Sequence, residues 1–362
     1  VYYTVTWDWY ARLTLSVRDG RIPALAPTKT VGNGPAFLEA SSSTKERTME
    51  YKDRSPILLL FGAILLIAGV TMALIGPLEM YCFYLFSEGG RFHYEGFGFG
   101  SFMFANIAAQ IVGYYLIAVV AVPLGYGHVK RLRWARTISL TLLGFWLVAG
   151  IPLMVALLFV LVTSKEPSLL TAIVAIVALA LSYAVLPALL IRFYRSRNVR
   201  LTFKARDQDP HWIEKVPLPV LVVAAIFVFT IAVLHALILF NGMFPFFHVL
   251  FFDLTGITLI ALSIIILVGL IWGLVRMKGW AWWGSLLYWV FLSFSSITAL
   301  SRSTLADILS QMRFAPLERE ALGGIPLHGI HLAALAGIPL LVTLGLIAYS
   351  RRYFGSHHEP AV

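Results

Sequence analysis

The chain has 362 residues, 59% apolar and 13% charged, with a mean hydropathy of +0.82. Soluble domains carry about 25% charged residues, so this composition excludes a soluble fold and marks an integral membrane protein. A lone cysteine, Cys82, excludes an intramolecular disulfide framework and any paired-cysteine redox or zinc motif. The formal charge of +10 lies mostly in short segments between apolar runs, where orientation in a bilayer accounts for it and a nucleic-acid partner does not.

Residues 1–18 alternate apolar and polar from Val1, Tyr3, Val5, Trp7 and Trp9 onward, a period of two that predicts a strand, with Asp19-Gly20 as a turn. A single strand cannot bury its apolar face alone. Met49 and Lys52 sit directly ahead of the first apolar run, so residues 1–48 read as an N-terminal cytoplasmic extension, disordered or preceding the working start. Residues 49–200 and 201–362 are then two four-span halves.

Crossing about 30 Å of hydrocarbon takes roughly 20 mostly apolar helical residues. Eight stretches qualify, near Pro56–Leu78, Phe102–Leu124, Ile138–Val162, Leu169–Ile191, Pro217–Phe240, Phe246–Leu274, Ala281–Leu300 and Leu327–Tyr349, with Asp253 the one acid inside a span. The expected fold class is therefore an all-α integral membrane protein, an eight-helix transmembrane bundle. One side of these spans holds 19 basic and seven acidic residues, and the other five basic and eight acidic. Cytoplasmic loops are the basic ones, so both termini are expected in the cytoplasm of a multi-pass cell-membrane protein.

Sliding the sequence by 146 positions superposes Gly127 on Gly273, Val129 on Val275, Trp134 on Trp280, Ala135 on Ala281, Ser139 on Ser285, Leu140 on Leu286 and Phe145 on Phe291. Each copy is a helix leaving the membrane, a basic turn, then Trp-Ala opening the next helix, which predicts two related four-helix halves about an axis along the membrane normal. Any hydrophobic hairpin could converge on such a turn. The segments Lys130-Arg131-Leu132-Arg133-Trp134-Ala135-Arg136 and Arg276-Met277-Lys278-Gly279-Trp280-Ala281-Trp282-Trp283 resemble the basic Trp-Ala hairpins of uncharacterised bacterial multi-span inner-membrane proteins. That resemblance covers about forty residues; it implies a bacterial inner-membrane setting and carries over no functional residue.

Several patterns lie within or between the spans. Gly96, Gly98 and Gly100 alternate with Phe97 and Phe99; without the Lys-Ser/Thr of a phosphate loop they read as an aromatic segment at headgroup depth. Asn106, Gln110, Gly113 and Tyr114 form a polar stripe, either interhelical glue or the lining of a polar path, and Ser182 and Tyr183 invite the same reading. Gly-Ile-Pro-Leu occurs at Gly150–Leu153, Gly324–Leu327 and Gly337–Leu340, the first and last preceded by Ala; with Pro123 and Pro187 these prolines predict kinks. Thr304 and Asp307 predict a capping box, followed by Leu305, Ile308, Leu309 and Met312 at helical spacing. The resulting short amphipathic helix either floats on the membrane surface, the favoured expectation, or roofs the bundle.

Ionisable groups within a bilayer are costly and so are functional candidates. If their helices pack together, His235, Asp253 and His331 could converge below the outer surface, with Glu79, His93, His248 and His328 near the rim. Two imidazoles and a carboxylate could hold a divalent metal or relay protons, and facing histidines could ligate haem; solvated interfacial histidines explain the same residues. No motif requires a cofactor, and no Walker motif, selectivity filter or arginine ladder is present. The sequence favours a permease-like or non-catalytic accessory membrane component, partnered by the bilayer and by another membrane protein or a second copy. The alternative is an outer-leaflet metal- or haem-binding enzyme.

Overall fold

A computed structural model describes residues 51–87, 89–94, 96–163, 169–323 and 327–354, with backbone alone for 155–163 and 169. The alternating segment at the N-terminus and Gly324, Ile325 and Pro326 of the middle Gly-Ile-Pro-Leu lie outside the described residues. In chain order the elements are α1 (Ser55–Phe86), α2 (Phe102–Lys130), α3 (Arg133–Thr163), α4 (Leu169–Ala180), a π-turn (Leu181–Val185), α5 (Leu186–Arg195), α6 (Arg197–Arg206), α7 (Leu218–Leu239), β1 (Phe244–Phe246), β2 (Val249–Phe251), α8 (Asp253–Val275), α9 (Gly279–Ser301), α10 (Leu305–Gln311), α11 (Pro316–Gly323) and α12 (Gly329–Ser350). Among the described residues eight helices are long and apolar enough to cross a membrane, with α4, the π-turn and α5 counting as one. The protein is a polytopic all-α membrane bundle.

Helix pairs are built from sequence spacing. On α1, Gly62, Gly69 and Gly76 recur every seven residues and, with Leu58, are its buried positions. A Cβ on Gly62 would come within 2.9 Å of the Gly125 carbonyl, and one on Gly69 within 2.7 Å of Val122, so α1 and α2 approach as closely as their backbones allow. On α9 the same spacing carries indoles: Trp282 Nε1 donates to Ile347 O at 2.8 Å and Trp289 Nε1 to Leu340 O at 3.0 Å, two rungs joining α9 to α12. Trp289 also stacks on Phe227 of α7, with ring centroids 4.9 Å apart. The main core lies here, among α7, α8, α9 and α12, with Phe145 and Val148 of α3 against it.

The two Trp-Ala turns close alike. Leu132 N donates to Gly127 O at 2.8 Å and Lys278 N to Gly273 O at 2.9 Å, with Arg131 and Met277 both left-handed at φ 58° and 55°. A Cβ on Gly127 or Gly273 would meet the following Ala135 or Ala281 at 2.7 and 2.5 Å.

Two boundaries and one placement differ from expectation. The sixth span starts at Asp253 and not at Phe246, because residues 244–251 form an antiparallel hairpin with Phe244 opposite Phe251. Asn241 and Gly242 turn the chain at positive φ, and Ser295 and Thr298 of α9 hold the tip by bonds to Phe247 N and O. Asp253 is thus at a helix start, not inside a span. Second, α1 continues to Phe86, so Glu79 lies within the helix and does not close it; from Met80 onward there is no Gly or Pro to stop it before Ser87.

Third, α10 roofs the bundle and does not float on its surface. Its capping box is formed as expected, with Thr304 Oγ1 accepting from Asp307 N at 3.1 Å and Asp307 Oδ2 accepting from Thr304 N at 2.8 Å. Ile308, Leu309 and Met312, however, are buried with Phe314 against Phe240, Met243 and Leu250, so the apolar face meets protein. The chain then starts α11 at Pro316, and Glu318 of that helix fastens the roof. Its carboxylate accepts from Ala315 N at 2.9 Å, closing its own helix start, and from Phe102 N at 3.1 Å and Met103 N at 2.9 Å, capping α2 more than 200 residues away. Tyr94 Oη reaches the same carboxylate at 3.4 Å. Gly96 and Gly100, both at positive φ, lie against Ala315 and Arg313, so the Gly-Phe segment packs under the roof.

Glu318→Ala strips a charged acceptor from three backbone donors and should cost about 2–3 kcal/mol, against about 1 kcal/mol for Thr304→Ala; thermal unfolding of the detergent-purified protein, followed by tryptophan fluorescence, checks the order. Hydrogen bonds from the Thr304 hydroxyl and N–H hold the Asp307 carboxyl below its ordinary 3.8. The capping box should therefore contribute at neutral pH and be lost as the pH falls through and below that value, narrowing the gap between wild type and Thr304→Ala in acid.

Candidate functional site

The spans enclose a cavity of about 650 Å³ between α3, α7, α9 and α12, within the roughly 300–1,000 Å³ of small-molecule sites. Its lining is almost wholly apolar. The two Ala-Gly-Ile-Pro-Leu segments meet across it: Ala149, Gly150, Pro152 and Leu153 from α3, and Ala336, Pro339 and Leu340 from α12. Proline has no N–H to give the carbonyl four residues earlier, so the helices leave the carbonyls of Val148 and Leu335 without their usual donors, and both residues line the cavity.

The π-turn brings Tyr183 to the same wall, close enough to Gly150 that a Cβ there would lie 2.9 Å from the Tyr183 ring. Trp289 and Leu292 form the α9 wall, while Phe244, Pro245 and Leu250 of the hairpin close the end farthest from the basic turns. The hydroxyls of Thr230 and Thr343 are turned back onto their own helices, at 2.9 Å from Ile226 O and Pro339 O, so they add little polarity. Trp146 and Leu153 on α3 and Phe229 and Val233 on α7 line the cavity yet stay 37–51% exposed, so among the described residues it is not closed on that side.

The ionisable candidates are placed elsewhere. His235 is exposed on α7, its Nδ1 2.7 Å from Ile231 O. Asp253 is paired with Arg313 at 2.9 Å, with both side chains more than half exposed, an interaction worth about 0–1 kcal/mol. His328 and His331 stand together at the start of α12, rings 5.7 Å apart, with His328 N 3.3 Å from His331 Nδ1. His248 is exposed at the hairpin tip, and His93 is exposed in the loop before α2. Among the described residues no three His, Cys, Asp or Glu side chains form a group that could hold a metal ion. Asn106, Gln110 and Tyr114 line neither the apolar cavity nor the smaller one at the basic end; Tyr114 Oη bonds Gln110 Oε1 at 3.3 Å on its own helix.

The sequence reading passed over a histidine at the opposite end. His128, fully buried near the end of α2, has Nδ1 2.7 Å from Leu124 O and Nε2 2.7 Å from Tyr194 Oη, with Ser139 Oγ at 3.3 Å. A histidine beside a serine invites a nucleophile reading. Here both ring nitrogens are engaged, the serine is buried, and neither residue lines the apolar cavity, so the group ties α2, α3 and α5 together. Nothing but the Gly127-His128 turn and a distant Tyr194 signalled it in the sequence.

No protein-family model matches this chain, and no curated protein or solved structure matches it either.

Tyr194→Phe should cost about 1–2 kcal/mol by leaving a buried imidazole nitrogen without its short bond, and His128→Ala more, through the added cavity. Midpoints of unfolding in detergent, measured for both variants, test this.

Proposed function

We propose that this protein is a permease-like or accessory component of a bacterial inner membrane that takes the hydrocarbon chain of a lipid into its intramembrane cavity. The observation that carries the reading is the pair of proline-broken Ala-Gly-Ile-Pro-Leu segments facing each other across an apolar space that opens to the side. A water-soluble solute would need polar groups along its route. This lining offers few beyond Tyr183 and Ser296, enough to fix one hydroxyl or ester of a lipid. Broken helices beside a substrate space also suit a mover of lipids, because a kink can change without breaking a full ladder of backbone bonds.

The same reading places both termini in the cytoplasm, supported by the 19 basic residues gathered on one side of the spans. It takes the matching Trp-Ala turns as the trace of two related halves, supported by their shared hydrogen bonds and left-handed residues. The outer metal or haem site drawn around His235, Asp253 and His331 stands behind it, since His235 is exposed on α7 and Asp253 is paired with Arg313.

The test is native mass spectrometry and extracted-lipid analysis of protein purified in mild detergent. Wild type should carry lipid at a defined stoichiometry, while Ala149→Phe and Ala336→Phe, which fill the cavity from opposite walls, should lose it and keep their thermal stability. Lipid-free wild type, or the same lipid content in all three proteins, would sink the reading.

A further inference from the structure

At the basic end a second cavity, of about 350 Å³, lies between α3, α6 and α7. Its wall holds Arg133, Arg136, Arg200 and Lys204 with a single carboxylate, Glu214. That carboxylate is already spoken for. Arg133 grips it with two nitrogens, Nε to Oε1 at 3.1 Å and Nη2 to Oε2, and gives its third to Gln208 O at 2.9 Å. The pair is mostly buried, 13% and 18% exposed, and neutral as a unit.

Three cations are left. Arg136 spends Nε on Tyr194 O at 2.9 Å, and its two terminal nitrogens make no hydrogen bond among the described residues. Arg200 and Lys204, one helical turn apart on α6, have no side-chain hydrogen bond or ion pair among the described residues. Like charges gathered in one wall repel, and although Arg200 and Lys204 are exposed, Arg136 behind them is only partly so, which leaves its share of the repulsion less screened than on an open surface. An arrangement of this kind is stabilised by an anion that several forks can grip at once, and a phosphate is the anion whose geometry suits arginine.

The rest of the wall narrows the ligand further. Thr137 offers a hydroxyl, while Leu140, Val216, Leu218 and Leu221 make an apolar floor, most of it buried in the core. The cavity lies where α3 and α7 begin, at Arg133 and Leu218, the level at which a bilayer has its headgroups.

We propose that this cavity binds a phosphate-bearing anion, held by Arg136, Arg200 and Lys204. Two sources present that chemistry: the headgroup of an anionic lipid, and a free phosphate compound from the aqueous side. The site is separate from the apolar cavity and stands without the lipid-handling role given to it.

The experiment reconstitutes the full chain in nanodiscs and titrates it by native mass spectrometry with dioleoyl phosphatidylglycerol, with dioleoyl phosphatidylcholine and, separately, with inorganic pyrophosphate. Wild type should favour one anionic probe over the neutral lipid. The doubly substituted Arg200→Gln, Lys204→Gln protein should bind that probe about 30-fold more weakly, five- to sixfold for each cation removed. Both substitutions lie on an exposed face, and Lys204→Gln alone repeats the test with the smaller step. Preference for phosphatidylglycerol assigns the site to a lipid, and preference for pyrophosphate to a soluble anion; either supports the proposal. Equal binding of anionic and neutral probes by wild type, or an anion affinity unmoved in the double variant, overturns it.

Discussion

A polar group inside hydrocarbon has no water to fall back on, and the architecture depends on how this chain meets that constraint. Trp282 and Trp289 are large enough to fill the centre of the bundle, but each brings an N–H that must find an acceptor. Both find one on α12, in carbonyls seven residues apart, so the pair that fills the core also fixes the register of α9 against α12. That register sets Leu340, and with it Pro339, against the space that α3 lines from the other side.

The same requirement shapes both ends. At the far end the first N–H groups of α2 have no partners within their own helix, and a carboxylate more than 200 residues away supplies them. Because Glu318 also closes the start of α11, the roof helices, the Gly-Phe loop and α2 form one assembly over the hairpin that seals the apolar cavity. At the basic end a buried imidazole meets its need through Leu124 O and Tyr194 Oη, and Arg136 takes the Tyr194 carbonyl. Each is a side chain satisfying a group that its own element leaves open.

The charged residues divide according to whether the fold gives them a partner. Arg133, Glu214 and Glu318 are held in place and fix helix starts. Asp253 and Arg313 meet in the open, where their pairing contributes little. At the basic wall Arg136, Arg200 and Lys204 outnumber the carboxylate that lines it, Glu214, next to an apolar floor.

The sequence by itself determined the membrane class and the eight helices, because about 20 apolar residues in a row have one stable use in water and lipid. It also determined the Trp-Ala turns and the capping box at Thr304, which are decided within a few neighbouring residues. It misread residues 246–251: Phe-Phe-His-Val-Leu-Phe is apolar enough to extend a span, and what makes it part of a hairpin is the anchorage of Phe247 by Ser295 and Thr298. Local spacing placed the proline motifs, yet Ala149 and Ala336 are 187 positions apart, outside the 146-residue repeat, so only packing could bring them to one cavity. For the same reason depth alone drew His235, Asp253 and His331 together as ligands, whereas helix rotation leaves His235 exposed and the hairpin carries Asp253 out to a helix start. Which faces of helices meet is set by side chains fitting across elements, and that information is carried by no single stretch of chain.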